Sequence, residues 1–287
     1  MPTTIASGFS GLRTNLELTG LQKSTISTRQ KNVRIAVENG FDVLDSFLAG
    51  SYSRSTIISP LSECDIDIFV VIESKYYTQY QPSALLDRLR AVLKNTYPST
   101  PKISRNGQAV TISFTDFKVD VVPCFNRKGG GFIIPNSITQ SWLSTNPTIH
   151  QSYLSEQNRL HGNNLIPLVK MMRGWNRCIN NDFSSFYIEL CTAKVLTNVR
   201  IDDFTSGVRY VFDKGREVVK YKIIDPAGFG DQINPLNNIS TVNEAVSRFQ
   251  TAYNRAIKAE EYAQNGNIRL AFEEWRKIFP RYFPAYG

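Results

Sequence analysis

Residues 50–72 read GSYSRSTIISPLSECDIDIFVVI, and the end of this stretch decides the fold. Asp65 to Ile72 is dense in Ile, Val and Phe and reads as a β-strand. Along a strand, residues i and i+2 share a face, so Asp65 and Asp67 present paired carboxylates while Ile66 and Ile68 turn to the core. Two such charges about 4 Å apart repel by roughly 4 kcal/mol at an effective dielectric near 20. A buried strand seldom carries that cost without a compensating cation. Magnesium suits the position, a hard ion bound by one or two carboxylates together with substrate phosphates.

Upstream of the strand lie Gly50-Ser51, then Arg54, Thr56 and Pro60-Leu61. Glycine lets a backbone come close to phosphates, and the Ser51 N–H and hydroxyl donate to them. A third carboxylate, Asp120, stands in Lys118-Val119-Asp120-Val121-Val122-Pro123, flanked by β-branched residues, the wrong place for an idle charge. Three aspartates on neighbouring strands hold two metal ions about 3.5–4 Å apart, the arrangement for in-line nucleotidyl transfer. Alone, a Gly-Ser is a turn, a D-x-D is a solvated strand end and Asp120 is a surface ion-pair residue. In this order and on strands, they point to chemistry.

The composition is compatible. In 287 residues the apolar fraction is 41%, with 17 Phe and 13 Tyr, which describes a folding chain and excludes a disordered one. No apolar run nears the roughly 20 residues of a membrane helix, and the N-terminus lacks the pattern of a secretion signal, so a cytoplasmic protein is expected. The net charge of +8 suits a polyanionic partner such as nucleic acid or nucleoside triphosphates. Cys64, Cys124, Cys178 and Cys191 are scattered, with only His150 and His161 to assist them, which makes a poor zinc set and a poor disulfide framework. No P-loop, H-E-x-x-H or G-x-S-x-G motif occurs.

Periodicity predicts a helix over 28–39 and a strand through Phe47 and Leu48 ahead of Gly50. Pro82-Ser83 opens a helix with Leu85, Leu86, Leu89 and Leu93 on one face. Asn106-Gly107 marks a hairpin, and a strand from Phe117 is predicted to stop at Pro123. From about Ser137 the pattern turns helical, over 165–176, over 185–197, and from the Thr241–Glu244 capping box to about Gln264. Trp175 reads as core. The fold class is α+β: a catalytic lobe over 1–135, joined to a mainly helical lobe over 136–287 near Gly129-Gly130-Gly131.

GSYSRSTIISPLSECDIDIFVVI followed by FKVDVVPCF resembles the DNA polymerase β-like nucleotidyltransferase superfamily, and within it the bacterial cGAS/DncV-like nucleotidyltransferases with their SMODS domain. ITQSWLSTNPTIHQSYLSEQNRLHGNNLIPLVKMMRGWNR, SSFYIEL and IIDPAGFGDQINPLNN are similar to later parts of that family. The resemblance implies a synthase that joins nucleoside triphosphates (ATP, GTP or pyrimidine equivalents) into a cyclic di- or trinucleotide second messenger. Such a product is read by a downstream effector, typically in anti-phage signalling. It implies Asp65, Asp67 and Asp120 as ligands of two Mg²⁺ or Mn²⁺ ions, and Gly50 and Ser51 at the phosphates. It implies Lys170 as the donor-phosphate lysine and Ser185, with Ser184 the alternative, as a later phosphate contact. Phe186 falls where some members stack the base, and Asp225 where members contact it. No His/Cys cluster answers to a zinc insertion, so zinc-dependent DNA sensing is not expected.

From the residues alone, Lys170 reads either as a solvated helix lysine or, among Val169, Met171 and Met172, as a partly buried one. Phe186 reads as core or platform. Arg173 and Arg177 either widen a positive rim or solvate their helix. Two other functions compete with the synthase: a nucleotidyltransferase acting on RNA or protein, and a catalytically silent nucleotide-binding scaffold. The first would usually bring an RNA-binding module, and nothing after Ser240 looks like one; the second would be marked by a lost aspartate, and all three are present.

Overall fold

The computed structural model describes residues 2–229 and 232–287. The chain forms two compact units, Leu18–Ser152 and Met1–Glu17 with Tyr153–Gly287. In chain order the first elements are α1 (Ile5–Leu16), α2 (Gly20–Glu38), β1 (Val43–Leu48), the short α3 (Gly50–Ser53) and β2 (Asp65–Ile72). Next come α4 (Lys75–Gln79), α5 (Pro82–Thr96), β3 (Lys102–Asn106), β4 (Ala109–Ser113) and β5 (Lys118–Asn126). Then follow β6 (Phe132–Asn136), β7 (Ser141–Thr145), α6 (Pro147–Leu160), α7 (Leu165–Cys178), α8 (Ser185–Val195) and α9 (Phe204–Val218). The chain closes with β8 (Ile223–Ile224), β9 (Gln232–Ile233), α10 (Val242–Gln264) and α11 (Ile268–Ile278).

The unit Leu18–Ser152 is a seven-stranded mixed sheet in which β1-β2-β5-β4-β3 run side by side. Only β2 and β5 pair in parallel; the other ladders are antiparallel. One face buries Ile66, Ile68, Val119, Val121 and Ile112 under α2 and α5, whose Val33, Val37, Leu86 and Leu89 are excluded from water. The opposite face is apolar only toward the C-terminal ends of β2 and β5, where Phe69, Val71, Val122 and Cys124 meet Ile134 of β6. The near half of that face is polar, and it begins at Asp65.

Among the described residues, the regular structure of the other unit is helical apart from the two-residue strands β8 and β9. Its core holds Trp175, 2% exposed, stacked on Phe183 at 5.5 Å and edge-on to Phe212 and Phe249 at 5.0 and 4.8 Å. The capping box at Thr241 and Glu244 is present as expected. Among the described residues no helix is long and apolar enough to cross a membrane.

Three features differ from the sequence reading. Gly129, Gly130 and Gly131, all at positive φ, form the turn by which β5 returns antiparallel as β6, and no unit boundary falls there. Residues 136–145 therefore belong to the sheet, and the units divide at 152/153. Ahead of the helix predicted over 28–39, the chain already forms α1, capped by Thr4 and Ser7 and carrying buried Phe9, Leu12 and Leu16 at helical spacing. Strand β5 runs on through Pro123, which sits where β5 has left its last β4 partner at Val121 and not yet met β6 at Phe125. On the other edge Pro123 pairs with Val70 of β2, and proline is tolerated in a strand where one edge is unpaired.

Trp175→Ala is expected to lower stability by about 3–5 kcal/mol, the usual range for emptying a packed indole site. Urea unfolding followed by circular dichroism checks this; a loss below about 1 kcal/mol would remove Trp175 from the core.

Candidate active site

Strand register builds the site. Asp67 lies opposite Asp120 and Asp65 opposite Lys118 across the parallel β2–β5 pair. On the other side of β5, β4 sets Thr111 against Asp120 and Ser113 against Lys118, and β3 sets Ser104 against Thr111 and Lys102 against Ser113. Paired residues share a sheet face. Two polar rows therefore cross the sheet: Asp67, Asp120, Thr111, Ser104, and beside it Asp65, Lys118, Ser113, Lys102. Asp65, Asp120, Thr111, Lys118 and Lys102 line one cleft.

The Gly50 segment is pinned to this row. The Ala49 N–H donates to the Asp67 carbonyl at 2.9 Å, and the Ser51 carbonyl accepts from the N–H groups of Thr56 and Ile57 at 2.9 and 3.0 Å. Gly50 has φ +59°, and a Cβ added there would overlap the Asp67 carboxylate. Glycine is thus required twice, for its backbone and for its bareness.

The structure places Asp65, Asp67 and Asp120 on one sheet face and sets Gly50, which Ser51 follows, against Asp67. Among the described residues no three His, Cys, Asp or Glu side chains form a metal cage by themselves. The donor set fits a different kind of ion site: hard, all-oxygen carboxylates on rigid strands, whose remaining positions substrate phosphates fill, as Mg²⁺ prefers.

Asp120 has a carboxyl shifted by its surroundings. Burial pushes its carboxyl above the ordinary 3.8; the Thr111 hydroxyl, donating at 2.5 Å, opposes that push, Asp65 adds to it and Lys118 opposes it.

The remaining predicted site residues lie in the other unit. Lys170 on α7 is 9% exposed, so the partly buried alternative holds, and its ammonium donates to both carboxylate oxygens of Glu17 at 2.8 Å. Ser184, Ser185 and Phe186 open α8: Ser185 is exposed, Phe186 half-buried, and the Ser184 N–H donates to the Pro235 carbonyl at 3.0 Å. Asp225 is buried and its Oδ1 accepts the Ala227 N–H at 2.9 Å, closing its own turn. Gly230 and Asp231, in the loop that resembles a later part of the family, lie outside the described residues. Arg173 does not solvate its helix; it forms a 2.9 Å ion pair with Glu189, which is fully buried. Glu17, Thr111 and Lys118 were missed from sequence. For Thr111 a signal existed, the Ala-Val-Thr-Ile-Ser alternation of β4, but its partner across the sheet depends on a register no motif encodes.

The mixed sheet and the helices around it form a polymerase β-like nucleotidyltransferase fold. The same fold appears in the Vibrio cholerae DncV cyclic AMP-GMP synthase in complex with the linear intermediate 5′ pppA(3′,5′)pG, with a TM-score of 0.81 at 13% identity, covering 97% of this chain and 94% of that one. It appears also in Escherichia coli MS115-1 CdnC with ATP, with a TM-score of 0.72 at 21% identity over 98% and 99% of the two chains. The Second Messenger Oligonucleotide or Dinucleotide Synthetase (SMODS) domain family matches residues 3–158, and this chain belongs to it. It is a nucleotidyltransferase of the cyclic oligonucleotide synthase kind. Among relatives, the cyclic AMP-AMP-AMP synthase of an Acinetobacter strain is 24% identical over 253 residues, 83% of this chain and 72% of that one.

The raised carboxyl of Asp120 gives a signed expectation for the metal-free protein. Its contribution to stability is fully present below the unfolded value near 3.8 and is lost as pH rises through the higher folded value. At pH 7 the buried charge is a net penalty. Asp120→Asn, which keeps the acceptor for Thr111, is therefore expected to raise the Tm in EDTA at pH 7, with the gap closing toward pH 4. A lower Tm for the variant at pH 7 would contradict this.

Proposed function

We propose that this chain joins nucleoside triphosphates into a cyclic di- or trinucleotide, with Asp65, Asp67 and Asp120 holding two divalent ions. The observation that carries the reading is the in-register pair Asp67–Asp120 with Asp65 on the same face and Gly50 left bare beside Asp67. Bound Mg²⁺ or Mn²⁺ supplies the acidification of the acceptor hydroxyl and neutralises charge at the leaving pyrophosphate. The chain supplies the rest. The three carboxylates orient the ions from rigid strands, and the Ser51 N–H and hydroxyl donate to a phosphate. Lys170 takes donor-phosphate charge, for which it must share or release Glu17. Ser185, or Ser184, adds a further donor; Phe186 offers a ring face and Asp225 an acceptor to a base.

Nucleoside triphosphates as substrates are supported by CdnC having been solved with ATP. A linear intermediate that is closed in a second transfer is supported by the DncV complex. One acidic centre must make each phosphodiester in turn, so the linear product re-enters with its triphosphate as donor and its free hydroxyl as acceptor. The cyclic product is a diffusible signal for a downstream effector, made in the cytoplasm during anti-phage defence.

Incubation with all four ribonucleotides and Mg²⁺ or Mn²⁺ is expected to yield a product of two or three nucleotides, resistant to phosphatase and cut by a phosphodiesterase. The Asp65→Asn, Asp67→Asn double variant is expected to remain folded and to yield none. A ladder of linear oligomers, or label appearing only on added RNA or protein, would replace the cyclic reading. Full activity in the double variant would remove the metal assignment.

Lys170→Ala is expected to weaken ATP or GTP binding by about 1.5–3 kcal/mol, the range for a charge-assisted contact. Calorimetric titration measures it. Unchanged affinity would return Lys170 to a structural partner of Glu17.

A further inference from the structure

Thr111 is 8% exposed and its hydroxyl donates to Asp120 Oδ1 at 2.5 Å, a length typical of a charge-assisted O–H···O⁻ bond. The two residues are direct cross-strand partners, so the contact is built into the β4–β5 register and does not depend on a flexible loop. Asp67 faces Asp120 from the opposite side, on β2. Asp120 thus stands between Asp67 on one neighbouring strand and the Thr111 hydroxyl on the other. One oxygen is tied toward β4, which settles the rotation of the carboxylate and leaves the lone pairs of Oδ2 for an ion.

We propose that Thr111 is a positioning residue for divalent-ion binding, aiming Asp120 through this hydrogen bond; the proposal rests on Asp120 being an ion ligand. A valine at this position would fill the same volume and suit a strand equally well, yet leave Asp120 Oδ1 without that donor and free to turn away from Asp67. Outer-shell donors to ligating carboxylates matter to binding as well as to rate, typically by 10–100-fold when removed.

The test measures Mn²⁺ binding to the intact protein by electron paramagnetic resonance of the free ion, with nucleotide absent and present, alongside the Tm of the metal-free variants. Thr111→Val is expected to weaken Mn²⁺ binding about 10–100-fold and to raise the metal concentration needed for half-maximal activity. Thr111→Ser, which restores the hydroxyl, is expected to recover binding. Should valine lower the Tm, Thr111→Ala compared with Thr111→Ser asks the same question without added bulk. Wild-type Mn²⁺ binding in Thr111→Val, or no recovery in Thr111→Ser, would overturn the positioning role. Asp120→Asn is the control that separates this from the underlying reading: if it too binds Mn²⁺ normally, Asp120 is not a ligand and both fall. If it alone loses the ion, only the role of Thr111 falls.

Discussion

The parallel register of β2 on β5 is the constraint on which the sheet unit depends. It sets Asp67 against Asp120, and on the opposite face it sets Ile66 and Ile68 beside Val119 and Val121. The apolar side supplies the stability. Those side chains are excluded from water beneath α2 and α5, at roughly 1.5–3 kcal/mol for each aliphatic residue fully buried. The polar side spends part of that gain on carboxylates that repel. A one-residue slip of either strand would turn its aspartates into the helices and its isoleucines or valines into the cleft. The hydrophobic face therefore enforces the placement of the carboxylates.

The Gly50 segment obeys the same constraint. A backbone bond from Ala49 to Asp67 fastens the loop to the strand, and the absence of a side chain at Gly50 makes room for the carboxylate. Any larger residue would meet both a left-handed backbone and an occupied volume. Loop and strand are thus held together by contacts that involve no ligand.

In the other unit, the buried charges of Glu189 and Lys170 have ion-pair partners. Glu189 is fully buried against Arg173, and Lys170 is clasped by Glu17. Removing one member of such a pair strands the other, so Arg173 belongs to the framework of α7 and α8 more than to a solvated rim. The exposed Ser185 and half-buried Phe186 at the start of α8 have the accessibility that ligand contact needs.

Sequence alone determined the features that local rules dictate. The i, i+2 spacing placed Asp65 and Asp67 on one face, β-branched flanks placed Asp120 on a strand, Asn106-Gly107 placed a hairpin and Thr241–Glu244 a helix start. Each is a property of a few adjacent residues. The tertiary structure decided which strands lie side by side. It made the triple glycine a turn inside the sheet, let Pro123 sit within a strand by leaving one edge unpartnered, and assigned α1 to the helical unit. It also set Thr111 against Asp120 and Glu17 against Lys170. Such pairings join residues separated along the chain, and their register is chosen by the burial of whole faces at once, a quantity that no short stretch of sequence contains.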